Sequence, residues 1–227
     1  MKITYLGHAC FQVEIKGKYL LFDPFITGNE LAKAIDINTI KADYILLTHG
    51  HADHIADCES IAKRTNAKVI CTWEIHEWLN NKGIVNTHPM NTGGKWQFDF
   101  GTVACTVAQH SSSLPDGSYG GNPMGFVVYN ETNSFYMAGD TALTLDMKLI
   151  PLLYPKLDVA ILPIGDNFTM DAKQACHCAD FVACKNIIAS HFDTFGFIKI
   201  DHQQTQTLFQ SKGLNLTLPS IGQVIEV

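Results

Sequence analysis

The apolar positions of this chain fall in short runs and alternations more often than at helical spacing, so strands outnumber helices. Residues 2–6, 11–15 and 19–22 alternate or run apolar, and Lys16-Gly17-Lys18 reads as a hairpin turn between the last two. Residues 43–48 form a buried run that leads into a helical pattern over 55–64. A short strand at 68–71 precedes a helix at 74–81, which stops at Gly83. Strands are expected at 96–100, 103–109, 126–129 and 134–138, mostly antiparallel and broken by Gly and Asn turns. A helix over 143–153, a strand at 159–162, a helix at 171–183 and a strand at 186–190 follow. A helix at 202–210 and a strand at 223–227 complete the pattern. Strands with helices between them suggest an α/β chain of two packed sheets with helices on the outer faces.

Four of these strands run into residues that bind metals. They end Leu47-Thr48-His49, Ala108-Gln109-His110, Ala138-Gly139-Asp140 and Ala189-Ser190-His191. Such proteins tend to bind ligands beyond the carboxyl ends of their strands, so these side chains are expected to meet in one cleft. The densest group is Thr48-His49-Gly50-His51-Ala52-Asp53-His54, three imidazoles and a carboxylate in six residues. His49 and His51 project to the same side of an extended chain. Asp53 and His54 fall where the chain turns into the following helix. Nitrogen donors of this borderline softness are what a zinc-type ion takes.

Composition narrows the partners. The 227 residues suit a single domain, 1–227, with no linker or low-complexity run dividing it. A formal net charge of −6 argues against a dedicated nucleic-acid binder, though not against a small anionic substrate at a metal site. The longest apolar runs are strand-sized, short of the roughly 20 residues a membrane helix needs. Met1-Lys2-Ile3-Thr4-Tyr5 reads as a strand and not as a signal peptide. Cys10, Cys58, Cys71, Cys105, Cys176, Cys178 and Cys184 are an odd, scattered set, read as thiols in a reducing cytosol. A cytoplasmic protein with a small-molecule substrate, no nucleic acid and no membrane is expected, and assembly into homo-oligomers is left open.

The motifs carry a resemblance along nearly the whole chain. Leu6-Gly7-His8, Phe22-Asp23-Pro24-Phe25, Thr48 through His54 and His88-Pro89-Met90 carry it in the first half. Gln109-His110-Ser111-Ser112, Ala138-Gly139-Asp140-Thr141-Ala142, Pro163 through Met170 and Ser190-His191-Phe192 carry it in the second. The chain resembles the metallo-β-lactamase-fold hydrolases, and among them a branch of small bacterial metal-dependent hydrolases. The resemblance implies a four-layer αββα sandwich of two mixed sheets with helices outside. It makes His49, His51 and His110 ligands of one divalent ion and Asp53, His54 and His191 ligands of a second, with Asp140 bridging. His51, where a redox di-iron centre takes more carboxylate, favours zinc, with manganese or iron as alternatives. The implied activity is hydrolysis of a small ester, lactone, amide or phosphoester by a hydroxide bridging the two ions. Kinship with the ascorbate-phosphate lactonase group adds lactones and sugar phosphates to the candidates. The alternatives are a phosphodiesterase or RNA-processing nuclease of the same fold, which usually adds a basic arm or inserted domain, and a non-catalytic metal-binding module.

Asp53 is also the candidate proton shuttle, and His8 the candidate for substrate binding or leaving-group protonation, with a structural role as its alternative. Thr48 and Asp57 are expected to hold imidazole tautomers, and Asp23 to form a turn or orient a ligand. The segment Asp166 through Met170 either lines the pocket or opens a helix capped by Thr169. His76, His88, His177 and His202 read as solvated surface. Cys176-His177-Cys178 reads as helix thiols, because adjacent helical residues diverge by about 100° and cannot converge on one ion. The Gly/Asn/Pro-rich residues 117–125 are expected to be a mobile loop, and Gly196 to loosen the turn after His191.

Overall fold

The computed structural model describes residues 1–227. They divide into two compact units. Unit 1 holds Met1–Thr92, Ser111–Pro123 and Ser220–Val227, and unit 2 holds Gly93–His110 and Met124–Pro219.

Unit 1 is built on a seven-stranded sheet. Its strands are β1 (Lys2–Gly7), β2 (Cys10–Ile15), β3 (Lys18–Phe22), β4 (Tyr44–Leu46), β5 (Lys68–Thr72), β6 (Thr87–Met90) and β14 (Val224–Glu226). The β2–β3 hairpin closes through Lys16 and Gly17, both in the left-handed region, as a two-residue turn matching strand twist requires. The helices are α1 (Ala52–Ile55), α2 (Cys58–Thr65) and α3 (Trp73–Asn80). Ile61, Ala62, Ile75 and Leu79 from α2 and α3 join Leu21, Ile45, Val69 and Cys71 from the sheet in one apolar cluster.

Unit 2 carries a second seven-stranded sheet. It comprises β7 (Lys95–Phe98), β8 (Gly101–Val107), β9 (Met124–Tyr129), β10 (Ser134–Met137), β11 (Val159–Pro163), β12 (Asn186–Ser190) and β13 (Asn215–Thr217). Its helices are α4 (Ile150–Leu153), α5 (Ala172–Phe181) and α6 (His202–Ser211). Asp171 caps α5 and Asp201 caps α6 by accepting backbone N–H bonds from Gln174 and Gln204. Thr169 is therefore not the cap of α5.

Both sheets follow one pairing order, three antiparallel steps and then three parallel ones. In unit 1, β1 and β3 each run antiparallel to β2, and β4, β5 and β6 follow β3 in parallel. All five therefore end at one edge. In unit 2 the same reasoning sends β8, β10, β11, β12 and β13 to one edge. The second strands in the shared order, β1 and β8, lead into His8 and His110; the fourth, β3 and β10, lead into Asp23 and Asp140.

Two expected helices differ. The pattern over 55–64 is split: α1 begins at Ala52, and α2 starts only after Asp57, whose N–H bonds the Pro24 carbonyl at 3.0 Å. The earlier start puts Asp53 and His54 on a helical turn. The pattern over 143–153 is a 3₁₀ turn, Leu145–Leu149, followed by α4 with Pro151 in its first turn. Proline has no N–H to give an ongoing helix, so the chain restarts there. Strands β6 and β13 go unforeseen, being short and without clear alternation.

Candidate metal centre

In unit 1 the site is assembled around Asp23, fully buried directly after β3. Its backbone is left-handed, φ 42°, a conformation L-residues adopt at a cost of about 1 kcal/mol or more. That turn brings the carboxylate under the loop after β4. Oδ1 accepts the Thr48 backbone N–H at 2.8 Å, and Oδ2 accepts the Thr48 hydroxyl at 2.6 Å and His54 Nδ1–H at 2.9 Å. A carboxylate can only accept, so these contacts fix protons. The Thr48 hydroxyl gives its hydrogen to Asp23 and therefore accepts from His49 Nδ1, 3.0 Å away. Both imidazoles are thereby held with Nδ1 protonated and the Nε2 lone pair presented, the tautomer a metal takes.

His51 is turned the other way. Its Nε2 lies 3.3 Å from the Ser111 hydroxyl and its Nδ1 lies 3.0 Å from His49 Nε2. Two nitrogens on one tetrahedral ion with bonds near 2.0–2.1 Å stand about 3.3 Å apart, so this spacing suits a shared ion. The neighbouring Ser112 hydroxyl accepts the Gly50 N–H at 3.0 Å and fixes the turn between the two histidines. Ligand atoms of Asp23, His49 and His54 lie within 4.8 Å of one another. Asp23 acts there as the orienting carboxylate, because both its oxygens are committed to Thr48 and His54.

His8 is buried, at φ 57°, and its Nε2 lies 3.1 Å from Asp53 Oδ2. Its ring packs edge-on against Phe25 and His54. Asp53 is partly open to solvent, and its Oδ2 stands 4.0 Å from His54 Nε2.

In unit 2, Asp140 is the common partner. Its Oδ2 lies 2.9 Å from His191 Nε2 and 3.7 Å from His110 Nε2. Asp140 and His191 are buried, and His191 is again left-handed, φ 54°. Gly165 explains how that turn fits: a Cβ there would lie 2.1 Å from the His191 carbonyl oxygen, so only glycine lets the ends of β11 and β12 approach. Left-handed backbone at His8, Asp23 and His191 marks three strand-end turns where local strain is tolerated.

Several expected roles change. Asp57 touches no imidazole; its carboxylate accepts the Ile26 and Thr27 N–H groups at 2.6 and 2.9 Å and the Thr27 hydroxyl. It holds the loop after Asp23, having been carried away from the histidines by the break between α1 and α2. Residues 117–125 are tied down: Thr72 donates its hydroxyl to the Gly120 carbonyl at 2.7 Å, and Gly120 N–H bonds the Ser112 carbonyl. Just before them, Asp116 accepts from Ser118 and from Trp78 Nε1, which lowers its carboxyl to about 2. The turn at Gly196 is spanned by two bonds, Asp193 N–H to the Ile198 carbonyl at 2.8 Å and Ile200 N–H to Asp193 Oδ1. His76 is half-buried against Thr87 and Trp73 instead of solvated. His88 is also half-buried, which lowers its pKa, with Lys68 adding to the effect. His177 is exposed between buried Cys176 and Cys178, as a helix requires.

The serines at 111 and 112 had no assigned role in the sequence, although they adjoin His110. Only the return of the chain to unit 1 at Ser111 reveals what they fasten.

Two sheets, each gathering histidine- and aspartate-bearing turns at one edge, accompany membership of the metal-dependent hydrolases of the β-lactamase superfamily. The chain belongs to the Beta-lactamase superfamily domain family, whose pattern matches residues 18–192. It is 57% identical over 227 residues to a metal-dependent hydrolase of Flavobacterium johnsoniae, covering 100% of both chains. It is 47% identical over 232 residues to a metal-dependent hydrolase of Bacillus subtilis, again covering 100% of each. A solved metallo hydrolase from the hyperthermophilic archaeon Ignicoccus hospitalis is 33% identical, with a TM-score of 0.88 over 99% of this chain and 97% of that one. No helix is long and apolar enough to cross a membrane.

Proposed function

We propose that the chain binds two divalent ions, zinc by preference, and hydrolyses a small carboxylic ester, lactone or amide. His49, His51 and His110 would hold one ion, Asp53, His54 and His191 the other, and Asp140 both. The donor set fits such ions on its own chemistry: five neutral imidazoles and two carboxylates suit a borderline cation. When bound, the ions would lower the pKa of a water and polarise the substrate's electrophilic oxygen.

The protein's own groups supply the rest. Asp53 receives the proton released at the attacking oxygen, its Oδ2 held by His8 at 3.1 Å. His8, buried behind Asp53, passes a proton on toward the leaving group. Thr48 and Asp23 act as positioning residues, keeping His49 and His54 in one tautomer through turnover. The observation that carries the reading is this Asp23–Thr48–His49 and Asp23–His54 relay, which commits both Nδ1 atoms and turns both Nε2 atoms toward coordination. Seven buried cysteines with no disulfide support a reducing, cytoplasmic setting.

The test is chelation and reloading of the purified chain, followed by assay on an acetate ester, a simple lactone, an anilide and a bis-phosphate ester. Carboxylic substrates cleaved only after reloading support the proposal. Preference for the bis-phosphate would instead indicate a phosphodiesterase, and full loading without turnover of any class a metal-binding module.

A further inference from the structure

Two aromatic rings stand at the ligand edge of unit 2 with no core function. Phe168 is 51% exposed and Phe197 is 77% exposed. Their centroids lie 6.3 Å apart in an edge-on arrangement. Scattered exposed apolar residues need no explanation. These two differ because the loops that carry them are the loops that leave β11 and β12 beside Asp140 and His191.

Phe168 follows Asp166 and Asn167, both left-handed at φ 60° and 53°. The loop is closed by Asp166 N–H to the Met170 carbonyl at 3.1 Å. It is fastened to the segment of Asp140 by Met170 N–H to the Thr141 carbonyl, also 3.1 Å. Two successive left-handed residues turn Phe168 outward while Met170 is buried. Phe197 lies in the 3₁₀ turn Gly196–Ile198, six residues past His191. That turn is pinned between Asp193 and the buried Ile198, and Ile198 abuts Gly165. Both rings are thus presented by backbone that is itself bonded to the ligand turns.

The side-chain charge around them favours one substrate type. Segments 138–143, 163–170 and 190–198 contain three aspartates and no lysine or arginine, and Lys199 comes only after the turn has closed. Side-chain recognition of phosphoryl groups uses arginine and lysine, so a phosphoryl group at this edge would rely on the ions alone. An acidic, aromatic-faced edge suits a neutral substrate with an apolar group.

We infer that Phe168 and Phe197 form the apolar wall of the substrate subsite, and that the substrate is a neutral ester or lactone bearing an aryl group or an alkyl chain of several carbons. This rests on the hydrolase reading above. It narrows that reading away from phosphorylated substrates.

The test has a binding arm and a turnover arm, on the metal-loaded full chain. Calorimetry with acetate, hexanoate and phenylacetate is expected to show hexanoate and phenylacetate binding at least five-fold more tightly than acetate. The Phe168→Ala/Phe197→Ala variant removes that preference, and Phe168→Leu/Phe197→Leu restores most of it for hexanoate. In turnover, kcat/KM rises at least ten-fold from acetyl to hexanoyl esters of one leaving group, and the alanine pair flattens the rise through KM. Equal binding of the three acids, or tighter binding of a phosphorylated lactone, overturns the inference. So does a change of oligomeric state in the alanine variant, which would make the rings a subunit contact. If acids show the expected order but no ester is cleaved, the subsite stands and the hydrolase reading fails.

Discussion

Asp23 and His54, 31 residues apart and both fully buried, are joined by a 2.9 Å bond from His54 Nδ1–H to Asp23 Oδ2. The same carboxylate holds the Thr48 hydroxyl that receives His49 Nδ1–H. One buried side chain thus sets the proton placement on two imidazoles. Replacing an orienting partner of a metal-bound histidine typically costs 10- to 100-fold in affinity. Asp23→Asn should therefore weaken metal retention by about that factor, read by competition with a chromogenic chelator. Unchanged affinity would show that the relay does not set the ligands.

Asp57 provides the contrast. It fastens the Ile26 and Thr27 backbone and touches no histidine. Hydrogen bonds to a charged group contribute about 1.5–3 kcal/mol each, so loss of the two backbone bonds in Asp57→Ala should cost about 3–6 kcal/mol in urea unfolding. Metal stoichiometry in the folded fraction should stay at the wild-type value. Loss of metal with stability unchanged would reverse the roles assigned to Asp23 and Asp57.

Gly165→Ala should be among the most damaging single methyl additions in unit 2. The new Cβ would meet the His191 carbonyl at 2.1 Å, and overpacking of this kind costs about 1–3 kcal/mol. A lowered Tm together with weaker metal binding is expected, because the backbone that yields is that of His191. Gly196→Ala, with open space around its added Cβ, should leave both unchanged.

The cysteines should be silent in the native protein. Burial raises Cys176 to about 11 and Cys105 to about 12, and it raises the other five as well. A thiol-reactive chromophore should find seven groups only after denaturation. The sign of the pH effect follows. Below the ordinary value of 9.0 both states are protonated and the stabilisation is complete. As pH rises past 9 the unfolded chain loses protons that the folded chain keeps, so stability declines toward pH 11 and beyond. Rapid native labelling at pH 8 would contradict the burial.

Much of this was legible in the sequence, for identifiable reasons. Strand ends at His49, His110, Asp140 and His191 could be read because apolar runs stop where histidines and aspartates begin, and pairing direction then brings each set to one edge. The role of Thr48 was legible from its place beside His49. That of Asp57 was misread, because proximity in sequence to His54 says nothing about the chain break after α1. Asp23 was recognisable as a turn or an orienter, but its partners lie 25 and 31 residues away. The 117–125 segment looks mobile by composition, whereas the bonds that hold it come from Thr72 and Ser112, which no local pattern connects to it. The half-buried state of His76 depends on β6, a strand too short to announce itself.

His76→Ala checks the separation of ligands from bystanders. It removes contacts to Thr87 and Trp73 and should cost about 1 kcal/mol of stability, with hydrolysis and metal content unchanged.

The most direct measurement is metal stoichiometry by mass spectrometry on the chelated and reloaded chain, wild type beside His54→Ala and His49→Ala. Two ions per wild-type chain, about one in each variant, and hydrolysis lost in both is the predicted result. No specific uptake by the wild type, or two ions retained in both variants, would contradict the account.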